Sequence, residues 1–304
     1  AVYYAETTAA ERTMCDDLTE KDIDAYFRRS GLSRRTFGQL GAGAALRAML
    51  PPVANAVDVV GEDVMVPTPD GTADAYFVHP TTGAHAAVLL WPSIVGIRET
   101  FRALGRRLAE SGYAVLVVNP YYRTQSGPVI PEDKGFRDPG IRDVLMPFAR
   151  TLSPDTCVTD GEAYVSWLDQ QDAVDASRKV GSIGYCMTGS YGLRLAAAIP
   201  GRVGAGVSFH GGGLATSAED SPHTLASQMQ AGFLIAIAAN DDERNPVEKE
   251  MLRKAFDDAG VEAEIEVYED TLHGWCVPDS DVYHEAQAER AWSRMLALFE
   301  SELA

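Results

Sequence analysis

The pattern of apolar and polar positions after residue 56 is typical of a protein whose strands alternate with helices. Continuous apolar runs predict strands buried on both faces at residues 86–91, 113–119, 180–185, 203–209 and 233–239, with a further strand at 264–268. Two segments, 58–66 and 73–79, flank the turn signal Pro-Asp-Gly and predict an antiparallel pair. The pattern therefore predicts an α/β fold with a mostly parallel central sheet.

Helical spacing of apolar residues recurs between these strands. It predicts helices at residues 98–110, 158–170, 190–199, 247–258 and 281–300. Between residues 120 and 155 the pattern loosens, and proline and glycine recur. A segment of this length between sheet elements is typical of a lid or a binding insertion. Because ligands of such sheets bind beyond the carboxyl ends of the strands, we expect the functional residues to follow strands directly.

One junction between a strand and a helix carries a candidate nucleophile. Cys186 lies in the run Gly-Tyr-Cys-Met-Thr-Gly, which joins the predicted strand 180–185 to the next helix. Such a tight turn raises one side chain above the carboxyl edge of a parallel sheet, and small neighbours such as Gly184 and Gly189 allow the chain segments to approach closely. Buried cysteine beside glycine also fits simple packing. The residues that follow favour catalysis.

An acid and a histidine follow in the order that a catalytic triad requires. Asp241 and Asp242 end one predicted strand, and His273 follows the next. Nucleophile, acid and histidine is the chain order of α/β-hydrolases. Either aspartate fits this order. His210, after the strand 203–209, is a rival base, but it precedes the acid, so we expect it to line the pocket.

Several motifs together resemble the dienelactone hydrolase family. They are the elbow with cysteine as the nucleophile, the Phe-His-Gly-Gly run at residues 209–212, Asp242 four residues before Pro246, and His273-Gly274-Trp275. The resemblance runs from about residue 57 to the C-terminus. It implies an α/β-hydrolase domain, a triad of Cys186, Asp242 and His273, and hydrolysis of a small ester or lactone. It favours Asp242 over Asp241, and it places Trp275 beside the substrate.

The same reasoning predicts the groups that meet the substrate carbonyl. Backbone N–H groups of Met187, after the nucleophile, and Ile94, after the first buried strand, are expected to bind the oxyanion. Ser93 stands where many members of the family carry glutamate, and Thr188 stands where most carry glycine. These departures favour an ester or lactone hydrolase of broad range over a true dienelactone hydrolase, with Ser93 facing the substrate.

Tyr121, Tyr122 and Arg123 leave a strand end and enter the segment 120–155. Tyrosine hydroxyls and a guanidinium at that position predict binding of a substrate carbonyl or carboxylate. The alternative is two packing tyrosines and a surface arginine.

Two other functional classes fit the sequence. One is a thiol sensor in which Cys186 is oxidised rather than acylated. The other is a binding protein that keeps the hydrolase fold without catalysis.

Composition narrows the range of partners. With 26 basic and 44 acidic residues the formal net charge is −18, which argues against nucleic acid, since a phosphate-binding surface is basic. The cysteines and histidines show no metal-binding spacing, so neither a metal nor another cofactor is expected. The sequence lacks an apolar stretch long enough to span a membrane. The expected partner is a small-molecule ester or lactone.

The first 56 residues differ from the hydrolase-like domain, residues 57–304. A twin-arginine pattern at residues 33–39, a moderately apolar stretch and an Ala-Asn-Ala site at 54–56 predict an export leader and a periplasmic protein. Helical spacing in the acidic stretch before the arginines instead predicts a retained arm on a cytoplasmic protein, which would offer a route to a homodimer.

Overall fold

The computed structural model describes residues 50–304. The twin-arginine pattern and nearly all of the predicted N-terminal arm lie outside the described residues.

An eight-stranded sheet forms the centre of the fold. Its strands are β1 (Val59–Thr68), β2 (Gly71–Pro80), β3 (Ala87–Trp91), β4 (Ala114–Val118), β5 (Val180–Tyr185), β6 (Val203–Phe209), β7 (Gly232–Ala238) and β8 (Ala263–Tyr268). They lie in the order β1-β2-β4-β3-β5-β6-β7-β8. β2 is antiparallel to both β1 and β4, and the remaining neighbours are parallel. The chain crosses from β4 to β5 past β3, which opens a crevice at the carboxyl ends of β3 and β5.

The described chain has seven α-helices, of which six lie between strands and the last follows β8. They are α1 (Glu99–Glu110), α2 (Ile141–Ala149), α3 (Pro154–Leu168), α4 (Tyr191–Ala198), α5 (Ala239–Arg244), α6 (Pro246–Ala259) and α7 (Glu285–Glu302). Among them, no helix is long and apolar enough to cross a membrane.

The sheet separates two apolar cores. In β3, Leu89 packs toward α3, α4 and α6, whereas Val88 and Leu90 pack toward α1 and α7. Successive side chains of a strand point to opposite faces, so a continuous apolar run is what a strand covered on both faces needs. The predicted α/β fold with a mostly parallel sheet is confirmed, and the strand ends differ from the predicted ones by one or two residues.

The loose segment after β4 contains a helix that the sequence pattern did not predict. Pro147 lies inside α2, and Gly140 precedes the helix with a φ of 81°. Proline usually ends a helix and glycine usually marks a turn, so both residues hid the helical spacing. Leu145 of α2 is fully buried, and its packing with Ile94 and Tyr121 holds the helix on the body of the protein.

Tyr122 and Arg123 do not have the substrate-binding position expected of them. Arg123 donates to both oxygens of Asp160 on α3, at 2.7 and 2.8 Å, and to Asp70 in the β1–β2 turn at 2.6 Å. The Tyr122 hydroxyl bonds Asp160 at 2.8 Å and Thr68 at 2.7 Å. Because these contacts engage both side chains, they join the β1–β2 hairpin, the end of β4 and α3.

Replacement of Arg123 by methionine should destabilise the fold strongly. The change leaves the buried Asp160 carboxylate without its cation, which typically costs about 3 kcal/mol or more in the free energy of unfolding. Lys254→Met is the matched control, because its pair with Asp258 is exposed to solvent and should contribute little to the free energy of unfolding. Urea unfolding measures both values, and equal losses would contradict the structural role of Arg123.

Candidate active site

Cys186 lies on a strained turn between β5 and α4. Its φ is 59°, a left-handed backbone conformation that residues other than glycine rarely adopt. A Cβ atom at Gly184 would lie 2.0 Å from the Thr188 carbonyl oxygen, and one at Gly189 would lie 2.4 Å from the Gly211 Cα. Only glycine fits at either position. The two glycines therefore let the chain turn sharply enough to place the Cys186 thiol at the end of the sheet.

Thr188, at a position where the resemblance leads us to expect glycine, strengthens this turn. Its hydroxyl accepts a hydrogen bond from the Tyr185 N–H at 2.9 Å and lies 3.0 Å from the Trp91 carbonyl oxygen at the end of β3. The side chain is completely buried. The elbow is thus bonded to the neighbouring strand rather than distorted by the extra atoms.

His273 lies between the thiol and a carboxylate. Its Nε2 is 3.1 Å from the Cys186 Sγ, and its Nδ1 is 2.7 Å from an Asp241 oxygen. The His273 backbone N–H donates to the Asn240 side chain at 2.8 Å. These contacts fix both the loop and the ring, so one nitrogen faces the acid while the other faces the nucleophile.

The acid beside His273 is Asp241, and the expected Asp242 is not in contact with the ring. Asp242 pairs with Lys249 of α6, with oxygens 2.5 and 2.6 Å from the ammonium nitrogen. Both aspartates belong to α5, where successive side chains point about 100° apart, so only one can reach the histidine. Spacing to Pro246 favoured the wrong neighbour.

Charge around the ring favours the imidazolium form. Burial alone lowers the pKa of His273, but the charges of Asp241 and Cys186 and the hydrogen bonds to them outweigh burial and raise it well above its ordinary value. Asp241 also lies 3.5 Å from the Arg244 guanidinium. A neighbouring imidazolium favours the thiolate, which is the reactive form of cysteine.

An apolar layer covers the thiol. We call this layer the roof, and it consists of Ile94, Tyr121, Val129, Ile130 and Leu145. Cys186 packs against it and is only 3% exposed. Part of the predicted insertion therefore packs against Cys186.

Three predicted residues lie near the elbow in the chain or in space. Ile94 packs in the same cluster as Cys186, and Met187 packs against that cluster. Ser93 accepts a hydrogen bond from the Gly96 N–H, which forms the turn carrying Ile94. The roles of these three residues remain predictions.

Tyr121 packs in the roof, whereas its neighbour Tyr122 contacts Asp160. The ring of Tyr121 is fully buried, and its hydroxyl donates to the Ile94 carbonyl oxygen at 2.9 Å. Both tyrosines lie in the turn after β4, so strand alternation does not assign the side that each ring faces.

His210 lies beside His273, and it is His273 whose ring nitrogen faces the Cys186 sulfur. The His210 ring packs edge-to-face on the His273 ring, with centroids 4.7 Å apart, and its Nδ1 is 3.2 Å from the Cys276 Sγ. Burial and the neighbouring His273 hold the pKa of His210 well below its usual value. His210 is therefore a neutral neighbour of the His273 ring.

Trp275 does not line a pocket as expected. It is fully buried and stacks on Tyr268, with ring centroids 4.7 Å apart. Its position next to the histidine loop in the chain made it a candidate, but its ring belongs to the core on the α7 side.

A cavity of about 390 Å³ lies far from the candidate active site. It is at the amino ends of β7 and β8, beside Gly232 and Arg294, whereas Cys186 follows the carboxyl end of β5. Within residues 50–304, no group of three or more histidine, cysteine or acidic side chains could hold a metal ion.

Comparison with solved structures supports the fold assignment. A dienelactone hydrolase-like promiscuous phosphotriesterase from metagenomic libraries superposes with a TM-score of 0.67 at 20% identity, covering 81% of this chain and 99% of its own. The dienelactone hydrolase of Anabaena variabilis gives a TM-score of 0.57 at 18% identity, with the same coverage. At these identities the similarity establishes an α/β-hydrolase fold.

Comparison of sequences identifies the family. The carboxymethylenebutenolidase of Rhodococcus opacus is 26% identical over 238 residues, which is 77% of this chain and 88% of the relative. The model of the dienelactone hydrolase family matches residues 73–303, which include the elbow, the histidine loop and most of the sheet. The chain belongs to the dienelactone hydrolase family and is a hydrolase of carboxylic esters or lactones.

Proposed function

We propose that the protein hydrolyses small, uncharged esters or lactones through Cys186, His273 and Asp241, with a thioester intermediate. The observation that carries this proposal is the unbroken line of contacts from the Asp241 carboxylate to His273 and from His273 to the Cys186 sulfur. Membership of the dienelactone hydrolase family supports the reaction class. A buried thiolate paired with an imidazolium can attack a carbonyl carbon, and these contacts provide that pair.

The first half of the reaction forms the thioester. The Cys186 thiolate attacks the carbonyl carbon, and the electron pair of the carbonyl moves to the oxygen. When the tetrahedral intermediate collapses, the bond to the alkoxide breaks, and the His273 imidazolium gives its proton to the departing oxygen. In a lactone the released alcohol stays attached to the acyl group.

The second half returns the enzyme to its resting state. Neutral His273 takes a proton from water, and the resulting hydroxide attacks the thioester carbonyl. Collapse of this intermediate expels the Cys186 thiolate and releases the carboxylic acid. Asp241 stabilises the imidazolium in both halves and holds Nε2 toward the sulfur.

Backbone donors near the elbow are proposed to bind the oxyanion. Met187 follows the nucleophile directly, and Ile94 is fixed in its turn by the hydrogen bond that its carbonyl accepts from Tyr121. Loss of one such donor typically slows hydrolysis about a hundredfold or more.

The side chains around the site favour an uncharged substrate over the carboxylate-bearing lactone that the name carboxymethylenebutenolidase implies. The roof offers apolar surface to the acyl group. Arg123 is engaged by Asp70 and Asp160, and Arg98 donates to the carbonyl oxygens of Glu132 and Lys134. A carboxylate placed against the apolar side chains of the roof is costly, so we infer discrimination against anions.

Loss of either the thiol or the imidazole should abolish ester hydrolysis. Cys186→Ala removes the nucleophile, and His273→Ala removes both the base and the cation that stabilises the thiolate, so each should lower kcat/KM for p-nitrophenyl acetate by about a thousandfold or more. Circular dichroism must show both variants folded. Full turnover by Cys186→Ala would exclude the thioester route, and an inactive wild type would favour the thiol-sensing or binding alternatives.

The two neighbouring aspartates provide a matched test of the acid. Asp241→Asn keeps the shape but loses the charge that stabilises the imidazolium, so kcat should fall by about a hundredfold or more. Asp242→Asn breaks only the pair with Lys249 and should keep kcat within about threefold of the wild type. Steady-state kinetics on both variants decide the assignment. If Asp242→Asn lowered kcat more than Asp241→Asn, Asp242 would be the acid.

Discrimination by charge can be measured with esters of equal length. We expect kcat/KM for p-nitrophenyl valerate to exceed that for the mono-p-nitrophenyl ester of glutarate by about tenfold or more, because the second ester brings a carboxylate to the roof. Val129→Lys should narrow this ratio by supplying a cation, whereas Val129→Met should preserve it. A wild type that prefers the anionic ester would support a true dienelactone hydrolase instead.

A further inference from the structure

A second thiol–imidazole pair lies directly beside the first. The Cys276 Sγ is 3.2 Å from the Nδ1 of His210, and both side chains are buried. The His210 ring meets the His273 ring at an interplanar angle of 79°. Two imidazoles thus touch, and each has its own cysteine as a partner.

Proton positions in this second pair follow from simple hydrogen-bond chemistry. A thiol that keeps its proton donates to a nitrogen lone pair, so the Nδ1 of His210 must be unprotonated and its Nε2 must carry the hydrogen. Burial raises the pKa of the Cys276 thiol well above its ordinary value, which keeps the proton on sulfur. The same burial, together with His273, lowers the pKa of His210.

The position of His210 leaves its ring little freedom. Its φ is 40°, and its backbone N–H donates to the Ala236 carbonyl oxygen at 2.8 Å. The next residue, Gly211, packs against Gly189 of the elbow so closely that a Cβ atom would lie 2.8 Å from the Gly189 Cα. Main-chain contacts therefore fix the position of the His210 backbone, and the contact with Cys276 fixes the rotation of the ring.

We propose that Cys276 is a positioning residue that holds His210 as the neutral Nε2–H tautomer and, through the contact between the two rings, keeps His273 aimed at Cys186. A neutral His210 packs against the His273 imidazolium without repulsion, whereas a cationic one would push that ring away from the sulfur. Cys276 acts only through His210.

The two cysteines consequently have opposite roles. Cys186 has a histidine whose other nitrogen faces Asp241, so the proton moves to that histidine. His210 has a thiol rather than a carboxylate at its Nδ1 and packs on a cationic ring, so the proton of Cys276 remains on sulfur. A carboxylate at the far side of the ring is what separates a nucleophilic thiol from a positioning thiol.

The test measures the tautomer and the kinetics of the full chain in parallel. Long-range ¹H–¹⁵N NMR correlation spectra distinguish the Nε2–H, Nδ1–H and doubly protonated forms of histidine, and a His210→Gln spectrum assigns the signal among the six histidines. Cys276→Ala removes the donor, and Cys276→Ser keeps one of nearly the same size.

We expect His210 to be the neutral Nε2–H form in the wild type and in Cys276→Ser, and to lose that preference in Cys276→Ala. The kinetic expectation rests on the proposed function: kcat for p-nitrophenyl acetate should fall about tenfold in Cys276→Ala with KM nearly unchanged, and Cys276→Ser should recover most of it. An unchanged tautomer in Cys276→Ala would overturn the proposal, whatever its effect on kcat.

The two readouts separate failure of this inference from failure of the proposed function. If the wild type does not hydrolyse the ester, the function fails, but the spectra still test whether Cys276 sets the tautomer of His210. If the tautomer changes while kcat in Cys276→Ala equals that of the wild type, the link to His273 is overturned. Serine that behaves like alanine in the spectra would also contradict the role of a donor.

Discussion

The close approach of backbone segments at the elbow is the constraint on which the site depends. Cys186 occupies a left-handed conformation, which costs free energy, and the turn is held by contacts that exclude a Cβ atom at Gly184 and Gly189. Thr188 adds hydrogen bonds from the same turn to β5 and to the end of β3. The sulfur therefore meets His273 because the packed sheet fixes the turn, and the loop itself needs no independent rigidity.

Electrostatics then assigns different chemistry to similar groups. His273 faces a carboxylate and takes up a proton, while the adjacent His210 faces a thiol and stays neutral. Both rings are buried, so neither difference is screened by water. The chain as a whole is acidic, yet the charge that matters at the site is the one supplied by Asp241.

Local patterns predicted most of the elements and singled out Cys186 and His273, which the structure brings into contact, because strand ends and glycine spacing depend on consecutive residues. Contacts between distant segments decided the rest. Lys249 on the following helix pairs with Asp242 and so distinguishes it from Asp241. Asp160 on α3 pairs with Arg123 and so engages the guanidinium that was expected to bind substrate. The indole of Trp275 packs with Tyr268, and α2 was concealed by a proline within it. These contacts join residues from different segments of the fold, so local residue spacing does not predict them.

The roof over Cys186 has a consequence for the lifetime of the protein. A thiolate in water is readily converted by peroxides to sulfenic and then sulfinic acid, and the second step destroys a nucleophile permanently. With Cys186 only 3% exposed and packed against the roof, the folded protein leaves little of this residue open to an oxidant. The apolar layer that shapes the site therefore also slows oxidation of the sulfur, and a looser layer would shorten the time for which the protein keeps its thiol.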